Sequence, residues 1–320
     1  MAYPTPAVTV TTADKFIPEI WSDEIVAAYK KNLVLANIIM KMNFKGKKGD
    51  TVHIPAPTRG SASAKAASTA VTLIADTETE VQVLINKHYE YSRFIEDIVE
   101  AQALNSLRQF YTADAGYALA KQVDTDLIQL GRAFNGATIG TNDYATSAAT
   151  TKAFIGGDGT TAYNSSSSNA SALTDAAIRR TIQRLDDNDT PMDNRFFIIP
   201  PSSRNTLMGL SRYTEQAFVG NGNAIRTGEI GQLYGIPVFT SSNADTGAGN
   251  TATDRICLMG HKDAMVLVEQ IGIRSQTQYK QDYLATLFTS DTLYGVAALR
   301  AAASTGAALS SSAYALAVPA

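Results

Sequence analysis

The stretch TVHIPAPTRGSASAKAASTAVTLIADTETEVQVLI, residues 51–85, is the part of the chain from which its architecture is best read. Thr51–Ile54 has the β-branched content of a short strand. PAPTRGSASAKAAST follows, small and polar, with nothing that builds a core. Val71–Ala75 and Glu80–Ile85 resume strand character, with Val81, Val83 and Ile85 alternating. Two strand-like legs around a small, polar tip near Gly60–Ser68 predict a long two-stranded arm. A lone ribbon is marginally stable in water, so the arm must lie on another element or another subunit.

Outward from the arm, the elements alternate in type. Residues 1–20 read as an extended segment, because Pro4, Pro6, Pro18 and the run Val8–Thr12 oppose helix. A helix is expected from Ser22 to about Asn37, capped by Ser22, with Asp23 and Glu24 at its positive end and Ile25, Ala28, Tyr29, Leu33 and Ala36 on one face. After the arm, residues 96–134 carry apolar side chains every three or four positions, including Ile98, Leu104, Leu107, Phe110, Leu119, Val123, Leu127 and Phe134. An unbroken helix there would be about 57 Å long, with Gly116 as its weak point. Residues 135–171 are rich in Gly, Ser, Thr and Asn and read as a long loop or insertion.

Compact α/β character returns over 172–300. Thr174 is placed to cap a helix with Ile178, Ile182 and Leu185 on one face. Strands are expected at Arg195–Ile199, Ile236–Thr240, Ile256–Met259, Ile271–Tyr279 and Thr286–Leu299, with a helix at Ser202–Leu210 and a short turn at Lys262–Ala264. The tail 301–320 is Ala- and Ser-rich and weakly specified. The fold class is α+β.

Composition narrows the function. Charged residues make up 18% of the 320 positions and hydrophobic ones 45%, much of it alanine. Low charge suits a protein that buries its surface against neighbours. The net charge of −3 shows no basic excess of the kind that coats phosphate backbones. One cysteine, Cys257, rules out an intramolecular disulfide and fits a reducing compartment. The first residues lack the pattern of a signal peptide, and no apolar run approaches the roughly 18–20 residues that span a bilayer. Cytoplasmic synthesis and assembly are expected.

A search for chemistry finds no set of partners. His53, His88 and His261 have no second ligand at metal spacing. Cys257 lies in the apolar run ICLM, with nothing nearby to activate it. GEIGQLYG, residues 228–235, is followed by a strand where a phosphate-binding turn needs a helix. Asp186, Asp187, Asp189 and Asp193 lack the glycine and distal glutamate of a calcium loop and read as a helix end. Asn164, Asn169 and Asn188 match glycosylation sequons without a secretory signal. No catalytic residue, cofactor site or metal site is expected.

The charges around the arm say more. Lys41, Lys45, Lys47 and Lys48 precede it, Arg59 and Lys65 lie on its tip, and Asp76, Glu78 and Glu80 lie on its return leg. An ordinary solvated hairpin would look the same. The other reading is complementarity between one subunit's arm and the next subunit's body, with Lys47, Lys48, Arg59, Lys65, Asp76, Glu78 and Glu80 as contact candidates. Exposed pairs contribute little singly, but repeated around a ring they fix register and partner choice.

The order of arm, helix, long β-loop, long helix, insertion, compact α/β region and closing strands resembles the major capsid protein fold of tailed bacteriophages, the Hong-Kong-97-type fold. Several segments carry the likeness. HIPAPTRGSASA (His53–Ala64) looks like an ascending E-loop of short-tailed phage coat proteins. IGQLYGIPVFTSSN (Ile230–Asn243) and CLMGHKDAMVLVEQ (Cys257–Gln270) are similar to A-domain segments. LYGVAALR (Leu293–Arg300) resembles the closing P-domain strand, with Ala301 where many relatives have proline.

The resemblance implies an N-terminal arm and helix over 1–49, an E-loop over 50–91, a P-domain spine helix over 92–134, an insertion or loop over 135–171, an A-domain over 172–270, and P-domain closing strands with the tail over 271–320. It implies pentamers and hexamers closing into an icosahedral shell in the virion. The shell would enclose DNA without reading its sequence and would not involve a membrane. Partners would be a separate scaffolding protein, since the arm begins at once, a portal protein and, optionally, a decoration protein. Lys65 stands where some relatives crosslink to a late asparagine, but no asparagine follows Asn250, so no crosslink is expected. The alternatives are an encapsulin-like compartment within the same fold, and a tail-tube or surface-layer protein outside it.

Overall fold

The computed structural model describes residues 33–45, 48–57, 62–71, 73, 78–96, 106–132, 153–161, 163, 169–210, 231–244, 254–300 and 312–319. The extended segment 1–20 and most of the Ser22–Asn37 helix lie outside the described residues.

The strand Arg195–Ile199 explains the packing. It reads RFFII, and all five residues are buried. Successive side chains of a strand point to opposite faces. Phe196 and Ile198 therefore join one apolar cluster, with Leu127, Ile128 and Leu130 of a long helix, while Phe197 and Ile199 join another, with Ile178, Leu185 and Leu207 of two shorter helices.

In chain order the described elements are α1 (Leu35–Ile38), β1 (Met40–Asn43), β2 (Thr51–Pro57), β3 (Glu78–Leu84), β4 (Lys87–Glu96), α2 (Ser106–Arg132), β5 (Phe154–Ile155), α3 (Asp175–Asp187), β6 (Arg195–Ile199), α4 (Pro201–Met208), β7 (Gln232–Leu233), β8 (Ile236–Thr240), β9 (Asp254–His261), β10 (Met265–Lys280), β11 (Ala285–Ala298) and β12 (Ala313–Pro319). They form a four-stranded sheet in the order β1-β10-β11-β4, a six-stranded sheet in the order β5-β12-β9-β6-β8-β7, and the hairpin β2-β3. The long helix α2 packs between the two sheets. Its Leu127 and Leu130 share a cluster with Phe196 and Leu258 of one sheet and Met265, Leu267 and Tyr294 of the other.

Two buried carboxylates on α2 reinforce that junction. Asp124 is fully buried and accepts the backbone N–H groups of Leu35 at 2.9 Å and Ala36 at 3.3 Å, and Asn243 Nδ2 at 3.0 Å. Burial pushes its carboxyl above the usual aspartate value, against the opposing effect of those bonds. Asp126 accepts from Tyr294 Oη of β11 at 2.7 Å and from Lys87 Nζ of β4 at 3.0 Å.

Several expectations need correction. The helix expected from residue 96 is described only from Ser106, and Glu96 still pairs as β-strand with Ala285. Residues 92–96 thus belong to β4, not to the spine helix. Gly116 does not break α2, which runs 27 residues without interruption. The stretch 135–171 contains β5, which pairs with Leu316 and Ala317. The tail, expected to be weakly specified, supplies β12, an internal strand of the six-stranded sheet between β5 and β9. Val71 and Leu73 lie outside any strand. In contrast, β6 and β8 keep the expected bounds, and the Thr174 side chain caps α3 by accepting the Ala177 N–H.

Candidate assembly surface

The ladder of the β2–β3 hairpin runs from Thr51 opposite Leu84 out to Pro57 opposite Glu78. Its root is apolar. Val83 and Ile85 are buried against Val266 and Val268 of β10, with Val52 and Ile54 packed alongside. Farther out, His53 Nδ1 lies 2.9 Å from Glu80 Oε2, and Gln82 Nε2 donates to Glu80 Oε1 at 2.6 Å. These two bonds hold the Glu80 carboxyl below the ordinary carboxylate range.

Beyond the ladder, the described residues 62–71 and 73 are exposed, Lys65 among them. Ser68 takes a positive φ of 64° in a turn closed by Thr69 Oγ1 donating to the Ala66 carbonyl at 2.8 Å. Val71 and Leu73 are 68% and 87% exposed. Among the described residues, these two aliphatic side chains join no apolar cluster.

A second apolar patch lies at the far end of the four-stranded sheet. β10 is buried over Met265–Val268 and exposed over Arg274–Tyr279. The turn between β10 and β11 leaves Tyr283 71% exposed, with its ring 5.7 Å from that of the exposed Phe94 on β4. Leu284 is exposed beside them at a φ of 45°. A bulky residue in the left-handed region carries strain and is held there by its surroundings. Where the sheet turns from buried to exposed, Asp291 accepts from Arg274 Nε at 2.7 Å and Nη2 at 2.9 Å, and lies 3.2 Å from His88 Nε2. The Arg274 guanidinium holds the Asp291 carboxyl below its usual value.

Of the charge candidates, Lys48, Lys65 and Glu80 are exposed, and Glu80 is already engaged within the hairpin. Glu78 is described only as a strand residue. Lys47, Arg59 and Asp76 lie outside the described residues. The apolar members of the surface, Val71, Leu73, Phe94, Tyr283 and Leu284, were missed from sequence, because an apolar pattern does not show which residues the fold leaves uncovered.

Elsewhere the reactive side chains have structural surroundings. Cys257 is buried beside Ser203 Oγ at 3.4 Å, and burial pushes its thiol up to about 12. His261 Nδ1 accepts the Asp263 N–H and caps a turn. Asp186 pairs with Arg195 Nη2 at 2.7 Å. Tyr234 and Gly235, both at positive φ, make the tight turn between β7 and β8. Among the described residues, no group of three His, Cys, Asp or Glu is placed to hold a metal ion, and no helix is long and apolar enough to cross a membrane.

A family model described as phage capsid protein matches residues 31–305. The chain belongs to the phage capsid protein family. Solved structures agree on the fold. A chain from the structure of Mycobacterium phage Che8 is 22% identical with a TM-score of 0.71, covering 94% of this chain and 97% of that one. The capsid structure of cyanophage P-SCSP1u gives 20% identity and a TM-score of 0.71, covering 95% and 93%. The capsid of Ralstonia phage GP4 gives 14% and 0.67, covering 98% of each. A search of curated proteins finds no match. The protein is a phage capsid protein, a structural component of the virion. An encapsulin-like compartment or a tail-tube protein is not favoured.

Proposed function

We propose that this capsid subunit closes into an icosahedral shell of pentamers and hexamers, with the β2–β3 hairpin of one copy lying on the body of the next. The observation that carries this reading is the exposure of Val71 and Leu73 on an arm whose described residues 62–71 and 73 are all exposed. The bare aromatic end of the four-stranded sheet is a second apolar surface of the kind that neighbours cover. Each contact is weak singly, and closure makes the set strong because every subunit is held by several neighbours at once.

Lys47, Lys48, Arg59, Lys65, Asp76 and Glu78 set register between copies in this scheme. Glu80 contributes less, because His53 and Gln82 already engage it. Assembly takes place in the host cytoplasm with a scaffolding protein and a portal protein, and a decoration protein is an optional later partner. The net charge of −3 fits a shell that contains DNA without gripping it. No Lys65 crosslink forms, so the shell holds without covalent links.

Deleting Gly60–Ala70 tests the reading. Soluble subunits that form no closed shells in electron micrographs are the expected outcome. Normal particles from that variant would sink it.

A further inference from the structure

The hairpin root is pinned to the four-stranded sheet on both legs. Ahead of β2, the Gly49 carbonyl accepts from Gln270 Nε2 of β10 at 3.0 Å, and the Phe44 N–H donates to the Glu269 carbonyl at 2.9 Å. After β3, the chain crosses β11 at Gly295, a buried position in register with Val268. The approach is backbone on backbone. A Cβ at Gly295 would lie 2.5 Å from the Leu84 carbonyl oxygen, 3.0 Å from its carbon and 3.1 Å from Ile85 Cα. No side-chain rotation relieves such a clash, so the leg itself would have to lift. The Ile85 N–H donates to the Asp50 carbonyl at 2.7 Å, which couples the two legs.

We infer that Gly295 is a positioning residue for shell assembly: its missing Cβ sets the angle at which the hairpin leaves the four-stranded sheet. That angle decides where the hairpin tip meets a neighbouring copy. Leverage makes it matter, since a tilt of about 5° at the root moves a point ~20 Å along the ladder by roughly 2 Å. Packed interfaces tolerate displacements of that size poorly. The inference rests on the hairpin contact proposed above.

The test is Gly295→Ala in the full chain, assembled beside the unaltered protein and the Gly60–Ala70 deletion. Circular dichroism checks folding, and electron microscopy counts closed shells and measures their diameters. The expected result is a folded subunit whose yield of closed shells falls about tenfold, with the remaining particles spread in diameter. Should Gly295→Ala not fold, Gln270→Ala carries the test, because it removes the side-chain tether to the Gly49 carbonyl and leaves the backbone of β10 in place. It is expected to broaden the diameters, and an unchanged distribution overturns the inference. If the deletion abolishes shells while Gly295→Ala gives normal ones, the angle proposal fails and the hairpin contact stands. If the deletion leaves shells normal, the hairpin contact fails and the angle proposal falls with it.

Discussion

The two large sheets of the capsid subunit are covered to different extents. β6 and most of β12 are buried from end to end, with apolar clusters on both faces of the six-stranded sheet. The four-stranded sheet is covered over only part of its length. Strand β10 begins in the core beside α2 and ends in solvent, while antiparallel β11 stays buried or half-buried along its length; the change in β10 coincides with ladder irregularities between Glu269 and Arg274. The contrast separates two tasks. The six-stranded sheet and its helices stabilise the subunit itself, while in the assembly proposed above the outer half of β10 and the hairpin present surface for neighbours.

The sharpest way to break this contrast is to remove Ala313–Ala320. The six-stranded sheet then loses an internal strand, and the subunit is expected to be insoluble or to lose its cooperative melting transition. A paired substitution comes next. Phe197→Ala is expected to lower the unfolding free energy by about 3–5 kcal/mol. Phe94→Ala, at the exposed end, should cost the isolated subunit less than about 1 kcal/mol yet reduce shell yield. Urea titration and particle counts read the two effects separately, and equal destabilisation by both would erase the distinction.

Asp124→Ala ranks third, at about 2–4 kcal/mol, because it strands the Leu35, Ala36 and Asn243 donors in the interior. Arg274→Ala should act more weakly and with a pH signature. The folded Asp291 carboxyl lies below its ordinary 3.8, so its stabilising contribution is complete above that value and is lost as pH falls through the depressed one. The stability difference between the unaltered protein and the variant should be constant at neutral and mildly acidic pH and shrink below 3.8. Smallest of all, Gly116→Ala should raise stability by about 0.5–1 kcal/mol. A Cβ there meets nothing within 4 Å, and the helix is unbroken. Thermal melts check the sign.

The six-stranded sheet was the more legible region. RFFII and IPVFT are bounded by proline, asparagine and serine, and a capping threonine opens the helix before them. β12 escaped because Ala313, Ala315 and Ala317 alternate with Tyr314, Leu316 and Val318. Small residues on one face and large ones on the other are what a doubly covered strand uses, yet they read as low complexity after an Ala- and Ser-rich stretch. β4 escaped for another reason. Ile95, Ile98 and Val99 continue the three-to-four spacing of the helix backwards, which masked the alternation of Lys87, Tyr89 and Tyr91 against His88, Glu90 and Ser92. The charges of the hairpin were readable as a surface. Its bare aliphatic residues were not, since whether Val71 and Leu73 find a partner depends on the fold and not on the local pattern.

The way the four-stranded sheet is closed also sets a clock. Its edge strand β1 pairs in parallel with β10, Met40 opposite Val266. Tyr294 reaches Asp126 across 168 positions, and His88 reaches Asp291 across 203. Chains joined mainly by such distant contacts must close large loops before any of them is rewarded, so they fold slowly and expose strand edges meanwhile. On that ground newly made subunits are expected to become competent at the pace of sheet closure, with shell growth following that supply. Refolding kinetics of the isolated subunit, followed beside light scattering of the growing particles, should show the same slow phase in both.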